Sequence, residues 1–285
     1  MAATPVPPRL HAILARDRRH AVVIARVRHR LTATVGWDLR RDTFEVGQYV
    51  RATLAPLRSD LSPDGQHFVY FALDGRRMAR GATLAYTAVS RRPWLKALDF
   101  YPAGDTWSGG GLFADDDHVW LNGVEKHPEA RTTSGLRRVG RPRATAAGDT
   151  GNLETADRGV YVRRLLRDGW TRTGSCARSP RHDVETFERD LRYGHVLRKE
   201  LHATSGPSAE GRGCVYETHT VVGPDGTETA HDDWSWADVD APRARVVFAC
   251  DGALHAAPLG RFGVGPSWVL FDAADLAFEP LEAPY

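Results

Sequence analysis

The sequence is poor in cysteine and lysine. Its 285 residues include three cysteines, at positions 176, 214 and 250, and three lysines. The cysteines are too few and too far apart for a disulfide framework or a Cys-x-x-Cys zinc site. We interpret Cys214 and Cys250 as small buried side chains on strands of a protein in a reducing compartment.

The sequence also lacks a long apolar run. Residues 1–8 contain no apolar core, and arginines interrupt the next hydrophobic stretch. Neither a secretory signal nor a transmembrane helix fits this pattern. We therefore expect residues 1–8 to be a disordered tail, the protein to be cytoplasmic, and no membrane to be a partner.

Neither sign of charge dominates the chain. It carries 38 lysine and arginine residues against 36 aspartate and glutamate residues, a formal net charge of +2. Three groups of arginines could bind the phosphates of a nucleic acid: 16–19, then 137, 138, 141 and 143, then 163, 164 and 167. Without a basic excess a solvated surface explains these arginines better, so nucleic-acid binding is a second alternative function.

Several sequence motifs of enzymes are absent. The chain has no Gly-x-Ser-x-Gly elbow, no Gly-x-x-x-x-Gly-Lys phosphate loop and no His-Glu-x-x-His helix. Gly109, Gly110 and Gly111 are not a dinucleotide fingerprint, because no helical pattern follows them. These absences argue against several large classes of enzyme.

The clearest structural signal is a strand, turn, strand and turn within fifteen residues. Pro63 presets φ for a turn, Asp64 can bond the backbone that follows it, and Gly65 accepts a positive φ. Apolar residues then occupy both faces of the segment Phe68 to Ala72. This pattern predicts a buried strand between packed sheets.

Looser versions of the same pattern recur along the chain. The comparable inner-strand positions are apolar and lie 32 to 55 residues apart: Val23, Val69, Val119, Val160, Val215 and Val247. A period of about forty to fifty residues, with about four strands in each, is typical of propeller blades.

The Ser-Pro-Asp-Gly turn, its aliphatic and aromatic strand and the Asp74-Gly75 turn resemble the repeat of the bacterial TolB/WD40-like β-propellers. The unit at 57–89 matches this repeat well, and the other units are degenerate. The resemblance implies a β-propeller fold, whose members act mostly as binding platforms. It carries over no catalytic residue.

We therefore predict an all-β fold, as a single-domain β-propeller over residues 1–285. It has five or six blades of mostly four-stranded antiparallel sheets, and the alternative is another all-β fold such as a sandwich. Residues 125–151 are predicted as a long loop or insertion. Residues 183–191 could form a short helix with Asp183 as its N-cap. The N-terminal strand region and the strand at 267–271 could close one blade together, which would remove exposed sheet edges.

Two clusters of acidic residues and histidine are candidate metal sites. Their candidate ligands are Asp116, His118, His231 and Asp232. Ca²⁺ could be held there by oxygen ligands that converge from different blades, as in propeller hydrolases. Carboxylates such as those at 38, 60, 238 and 240 could serve as a glycosidase acid and base if they converge. Adjacent carboxylates of a strand point to opposite sides, so turn-forming aspartates and backbone contacts explain these residues better.

Eight tryptophans give the strongest hint of a binding surface. Four are flanked by turn or polar residues and could anchor a partner from loop ends: Trp94, Trp107, Trp170 and Trp234. Core packing is an equally good explanation for this set, and carbohydrate stacking is a third. Trp120, Trp236 and Trp268 lie inside apolar strand patterns and are predicted as core.

These observations predict a non-enzymatic platform that binds another protein and needs no cofactor. The alternative is a propeller hydrolase for a small ester or a glycan. It would use aspartates and histidines at a central channel, with Ca²⁺ as its metal.

Overall fold

The structure, a computed structural model, describes residues 6–74, 84–103, 105–123, 130–142, 156–206 and 213–285. By its internal contacts the chain divides into unit 1, which comprises Met1–Arg164 and Ala273–Tyr285, and unit 2, which comprises Leu165–Asp272. The described strands form five sheets of three to six mainly antiparallel strands. The predicted all-β class is confirmed.

Unit 1 contains three of the sheets. Sheet A has four antiparallel strands in chain order: β1 (Arg9–Leu14), β2 (His20–Arg28), β3 (Leu31–Asp38) and β4 (Thr43–Val50). Sheet B contains β5 (Thr53–Leu54), β6 (Asp60–Leu61), β7 (His67–Leu73), β8 (Ala85–Arg91), β9 (Asp99–Ala103) and β12 (Arg131–Thr132). Sheet C contains β10 (Gly111–Phe113), β11 (His118–Leu121) and β13 (Arg137–Arg138), which runs parallel to β11.

Strand β7 shows why the apolar segment after the Ser62 turn is buried on both faces. Phe68 and Tyr70 pack in one cluster with residues of sheet A such as Ile24. Val69, on the opposite face, packs with Val119 of sheet C. Burying each of these large side chains contributes about 1.5–3 kcal/mol. The buried strand is therefore confirmed, with apolar partners on both sides.

The Ser62 to Gly65 turn is closed by hydrogen bonds to its own backbone and side chains. The backbone N–H of Gly65 donates to Ser62 O (2.9 Å) and that of Gln66 to Asp64 Oδ1 (2.9 Å). Gly65 has a φ of +71°, where a β-carbon would lie 2.5 Å from the β-carbon of His20. The turn therefore requires glycine for its conformation and for the close approach of β2.

The described residues contain one α-helix, α1 (Ala156–Arg167), and the division between the units falls within it. Asp157 lies in its first turn, and Gly169, with a φ of +93°, follows its end. Val160 packs against Leu112 and Trp120 of sheet C. The interpretation of Val160 as an inner-strand position is wrong, because helix end signals and tertiary packing override the β-branched run.

Unit 2 contains the other two sheets. Sheet D has five antiparallel strands in chain order: β14 (Thr171–Ser179), β15 (His182–Asp190), β16 (Val196–Thr204), β17 (Val215–Val222) and β18 (Glu228–Ala230). Sheet E contains β19 (Trp236–Asp240), β20 (Arg245–Cys250), β21 (Ala253–Gly260), β22 (Gly263–Val264) and β23 (Trp268–Asp272).

Two local predictions in unit 2 are wrong. The segment predicted as a helix capped by Asp183 is strand β15, which pairs along its length with β14 and β16. Pairing on both sides outweighs the weak cap signal. The strand predicted at 267–271 to close a blade with the N-terminal region pairs instead with β21, and β1 pairs with β2.

Parts of other predictions lie outside the described residues. Residues 1–5 of the predicted tail are among them, as are 125–129 and 143–151 of the predicted loop. The described part of that loop contains the short strands β12 and β13. No helix in the described part of the chain is long and apolar enough to cross a membrane.

We expect Gly65→Ala to destabilise the protein more than Gly226→Ala. Both glycines follow a Pro-Asp pair and have positive φ, but only Gly65 has neighbours within 4 Å of an added β-carbon. The φ penalty is about 1–2 kcal/mol at either site, and the clash adds about 1–3 kcal/mol at Gly65. Urea unfolding measures both, and equal losses would contradict the close approach of His20.

Candidate functional site

Four loops of unit 2 line a cleft of about 450 Å³. Its lining comes from His195, which follows a 3-10 turn, from the turn around Pro224 and Asp225, from His231 after β18, and from the β21–β22 hairpin. Each of these loops joins strands whose pairing fixes its ends. The cleft therefore has a rigid frame and a rim made of loop residues.

His195 holds the hairpin at one side of the cleft. Its side chain is 7% exposed, and Nε2 donates to the carbonyl oxygen of Arg261 at 3.2 Å. The other nitrogen, Nδ1, is buried and has no hydrogen-bond partner in the described part of the chain. Because Nδ1 is covered, His195 positions the hairpin and does not offer a base to the cleft.

Asp225 is the acidic group of the cleft. Its Oδ1 accepts the backbone N–H of Thr227 at 3.0 Å. Hydrogen bonds from the backbone and side chain of Thr227 lower the pKa of Asp225 below its ordinary value. The carboxylate is therefore ionised at neutral pH and engaged in closing its own turn.

His231 begins a column of stacked rings. Its imidazole lies 3.8 Å from the ring centroid of Trp234, Trp234 lies 4.2 Å from Phe248, and Phe248 lies 5.2 Å from His255. Burial lowers the pKa of His231, which favours the neutral ring at neutral pH. The column joins His231, which lines the cleft, to the buried rings of Trp234 and Phe248 by stacking.

Large apolar side chains are exposed along the edge of sheet E that β22 and β23 form. Phe262, at the tip of the β21–β22 hairpin and on the rim of the cleft, is 99% exposed. Trp268 and Val269 on β23 are 44% and 55% exposed. Because β22 and β23 both pair with β21, these three residues follow one another along one edge of the sheet.

The structure divides the four loop tryptophans into two pairs. Trp107 is 70% exposed and Trp94 is half-buried. Trp170 and Trp234 are 2% and 3% exposed, so their predicted position on a docking surface is wrong. Lys199 lies 5.0 Å from the ring centroid of Trp170, which places that ring inside unit 2.

Sequence patterns also misplaced one tryptophan of the predicted core. Trp120 and Trp236 are buried as predicted. Trp268 is exposed because β23 has a hydrogen-bonded partner strand on one side only among the described strands. An apolar strand pattern does not distinguish a central strand from an edge strand.

Two of the candidate metal ligands hold turns of unit 1. Asp116 Oδ1 accepts the backbone N–H of Asp64 at 2.8 Å, and His118 Nδ1 lies 2.8 Å from Asp115 Oδ1. His118 lowers the pKa of Asp115 through this contact. Each of these side chains thus takes part in a turn. Of the two interpretations of this cluster, a metal site and turn-forming side chains, these contacts fit the second.

An Asp-x-x-His pattern, missed in the sequence, marks three hairpin turns of unit 1. It occurs at 17–20, 64–67 and 115–118. Asp17 Oδ2 lies 2.6 Å from His20 Nδ1, as Asp115 lies close to His118. Asp64 instead accepts a hydrogen bond from Ser62 Oγ. The spacing of three residues was a usable signal for a repeated turn.

In the second cluster, His231 stacks on the ring of Trp234. Asp233, next to it, accepts a hydrogen bond from Cys250 Sγ at 3.3 Å, and burial together with this contact raises the pKa of the Cys250 thiol to about 12. No group of three His, Cys, Asp or Glu side chains suited to a metal ion occurs among the residues that the structure describes. The Ca²⁺ hypothesis has no support in these residues.

The carboxylates suggested as an acid and base pair each have a local partner. Asp38 accepts the N–H groups of Arg40 and Arg41, and Asp60 accepts that of Phe113. Asp238 and Asp240 are paired with arginines 189 and 245. The backbone contacts favoured for Asp238 and Asp240 hold only in part, since Asp238 accepts the N–H of Val239 but the described partner of Asp240 is Arg245. The cysteine prediction is less accurate, since Cys214 is exposed and Cys250 is only half-buried.

A buried network of charged groups in sheet D also escaped the sequence analysis. Lys199 Nζ and His219 Nε2 lie 3.0 and 3.3 Å from the same oxygen, Glu217 Oε2. Lys199 is 1% exposed, His219 is 2% exposed and Glu217 is 5% exposed. Glu217 and His219 are two residues apart on β17 and therefore share a face. Because all three are deeply buried, we assign the network a structural role.

The arginines of α1 do not form a solvated surface. Arg163 and Arg164 are 8% and 4% exposed. Arg163 donates to Gly159 O at 2.7 Å, and Arg164 donates to Pro56 O at 3.0 Å. The interpretation of these two residues as surface groups is wrong, because backbone carbonyls inside unit 1 bind them.

We expect Asp116→Ala to destabilise the protein by about 1 kcal/mol, the net value of one hydrogen bond to the Asp64 turn. Asp117→Ala is the matched control, since the exposed Asp117 side chain has no described partner and the hydrogen bonds of this residue are made by its backbone N–H and carbonyl groups. Urea unfolding measures the difference. A loss in the control as large as in the variant would contradict this role of Asp116.

We expect His219 to make the protein less stable in acid. Burial lowers the pKa of His219 from 6.5 in the native state. As the pH falls through about 6.5, the unfolded state takes up a proton before the native state does, so the free energy of unfolding falls. The loss continues until the pH reaches the lower native pKa.

The measurement is the difference in melting temperature between pH 7.5 and pH 5.5. His219→Asn, which retains a donor for the carbonyl of Trp234, should reduce this difference. His29→Asn, at an exposed position, should leave it unchanged. If this difference is unchanged in His219→Asn, His219 does not cause the loss of stability in acid, whatever the stability of the variant at neutral pH.

Comparisons with known proteins identify no family for this chain. No family model and no curated protein matches it. Among solved structures it is similar to the WD40 domain of SCAP from fission yeast, at 10% identity and a TM-score of 0.25. That match covers 93% of this chain and 58% of the other, so this chain spans less than two thirds of its length. A likeness at this TM-score carries no argument about function.

Proposed function

We propose that this chain is a non-enzymatic platform that binds another protein through the exposed edge of sheet E in unit 2. The observation that carries the proposal is the 99% exposure of Phe262 on the rim of the cleft. Trp268 and Val269, on β23 at the same edge of the sheet, are also exposed. Aromatic side chains of this kind dominate the energetics of protein interfaces.

A partner that covers Phe262 gains from the hydrophobic effect. Burying one large apolar side chain contributes about 1.5–3 kcal/mol. The hairpin that carries Phe262 is fixed by β21–β22 pairing and by the His195 contact, so little additional ordering is needed on binding. A rigid, exposed ring beside a cleft suits a partner that inserts a side chain into the cleft and packs against the ring.

The polar groups of the cleft support binding more than catalysis. His195 bonds the hairpin, Asp225 closes its own turn, and His231 stacks on Trp234. Each is committed to a structural contact. No observation on the described residues favours the hydrolase alternative, and we do not propose it.

The proposal includes the wider architecture. We propose that the five sheets are blades of one β-propeller in the cytoplasm. Five of the six repeated valine positions support this, since Val23, Val69, Val119, Val215 and Val247 each lie in a different sheet. The three free cysteines are compatible with a reducing compartment.

Photo-crosslinking tests the binding surface. A photoreactive phenylalanine at position 262 should capture a discrete protein in cells, whereas the same group at Val6, which is 76% exposed, should not. Phe262→Ser should then reduce the affinity of the purified chain for the captured protein at least tenfold, the effect typical of an interface hot spot.

Val6→Ser serves as the matched control and should leave that affinity unchanged. Trp268→Ser should weaken the complex in the same direction as Phe262→Ser. Identical crosslinking from both positions, or full affinity in the Phe262 variant, would overturn the proposal.

A further inference from the structure

The segment Ala273 to Tyr285 belongs to unit 1 and lies on its surface without forming a strand or helix. Near its end the exposure alternates: Leu281, Ala283 and Tyr285 are half-buried, while Glu282 and Pro284 are exposed. A period of two is that of an extended chain with one face against the protein. The segment is seated as a bound peptide would be.

Side chains of unit 1 anchor the segment at three points. Gln48 Nε2 donates to the carbonyl oxygen of Leu281 at 2.8 Å. The hydroxyl of Tyr285 accepts the backbone N–H of Arg91 at 3.0 Å and donates to the carbonyl oxygen of Lys96 at 2.7 Å. Phe278 packs edge-to-face with Tyr49, with ring centroids 6.0 Å apart.

The surface that this segment covers, which we call the seat, is formed by other residues of unit 1. Gln48 Oε1 accepts the backbone N–H groups of Leu95 and Lys96, and Tyr70 donates to the carbonyl oxygen of Leu95 at 2.6 Å. These bonds hold the loop after β8 in place with groups other than those of the segment. A preformed seat binds its occupant with little ordering cost.

The segment is held mainly by its side chains. For residues 275–285 the described main-chain hydrogen bonds are local, from Leu276 to Ala273 and from Leu281 to Glu279, apart from the carbonyl bonded by Gln48. No strand pairing fixes it to a described sheet. A few contacts of about 0.5–1.5 kcal/mol each are the scale of an exchangeable interaction.

Charge is complementary between the segment and its seat. The segment carries Glu279 and Glu282, and the seat carries basic groups above its two aromatic anchors. The guanidinium of Arg51 lies 4.6 Å from the ring centroid of Phe278. Arg91 and Lys96 lie 5.1 and 5.4 Å from that of Tyr285. The seat therefore favours an acidic, aromatic peptide.

We propose that this seat is a second binding site, on unit 1, for an extended acidic segment of a partner protein. The segment presents phenylalanine, leucine and tyrosine at the spacing of residues 278, 281 and 285, and this chain's own segment occupies the seat in its absence. The site is separate from Phe262 and does not rest on the function proposed for unit 2.

The test uses a fluorescent peptide with the sequence of residues 274–285 and the full-length chain. Phe278→Ala with Tyr285→Ala weakens the internal competitor and leaves the seat intact. This variant should bind the peptide at least tenfold more tightly than the unchanged chain, because an internal segment competes at an effective concentration of about millimolar. Adding Gln48→Ala should then weaken binding.

Two controls separate specific from general binding. A peptide with alanine at the position of Tyr285 should lose most of its affinity, and Phe262→Ser in the chain should change nothing. Tyr285→Phe, a milder change that removes only the hydroxyl bonds, replaces the double variant if that chain does not fold. Equal affinity for the unchanged and weakened chains, or indifference to Gln48, would overturn the proposal.

Discussion

Hydrogen bonds between neighbouring hairpin turns hold the three sheets of unit 1 together at one end. The N–H of Asp17 donates to Pro63 O, and the N–H of Asp64 donates to Asp116 Oδ1. Arg16 reaches from the first turn to the carbonyl of Ala114 in the third. Of these three bonds, the one to Asp116 uses an acidic side chain, and the other two are accepted by backbone carbonyl groups. Asp116, a candidate metal ligand in the sequence, therefore belongs to this framework.

The strands at the repeated valine positions could be predicted from the sequence, except at Val160, which lies in a helix for a physical reason. Val69 and Val247 lie in strands because turn residues delimit an apolar run of strand length on either side. Val160 sits in an equally apolar run, yet it lies in a helix with Asp157 at its start and Gly169 beyond its end. Local preference for a strand is weak compared with the packing that Val160 finds against sheet C.

The candidate site could be predicted only in part, because exposure depends on contacts between residues far apart in the sequence. Trp107 and Trp170 have similar polar neighbours in the chain, yet one is exposed and the other is covered by Lys199 and Arg189. Phe262 gave no sequence signal, since a single phenylalanine in a turn resembles any other. Its importance depends on the hairpin and the cleft, which arise only when sheet E has formed.

Four arginines in the described part of the chain are buried: Arg58, Arg163, Arg164 and Arg245. Arg164 binds His11 Nε2 and the carbonyl of Pro56, and Arg58 binds Asp157 and the carbonyl of Thr106. A guanidinium directs several N–H donors in one plane, so a single side chain can join separate loops, whereas an ammonium group lacks this fixed geometry. Lysine would leave carbonyl groups unsatisfied at such junctions. An arginine cluster in the sequence can therefore include residues that join buried loops, as Arg164 does, and does not by itself indicate a basic binding surface.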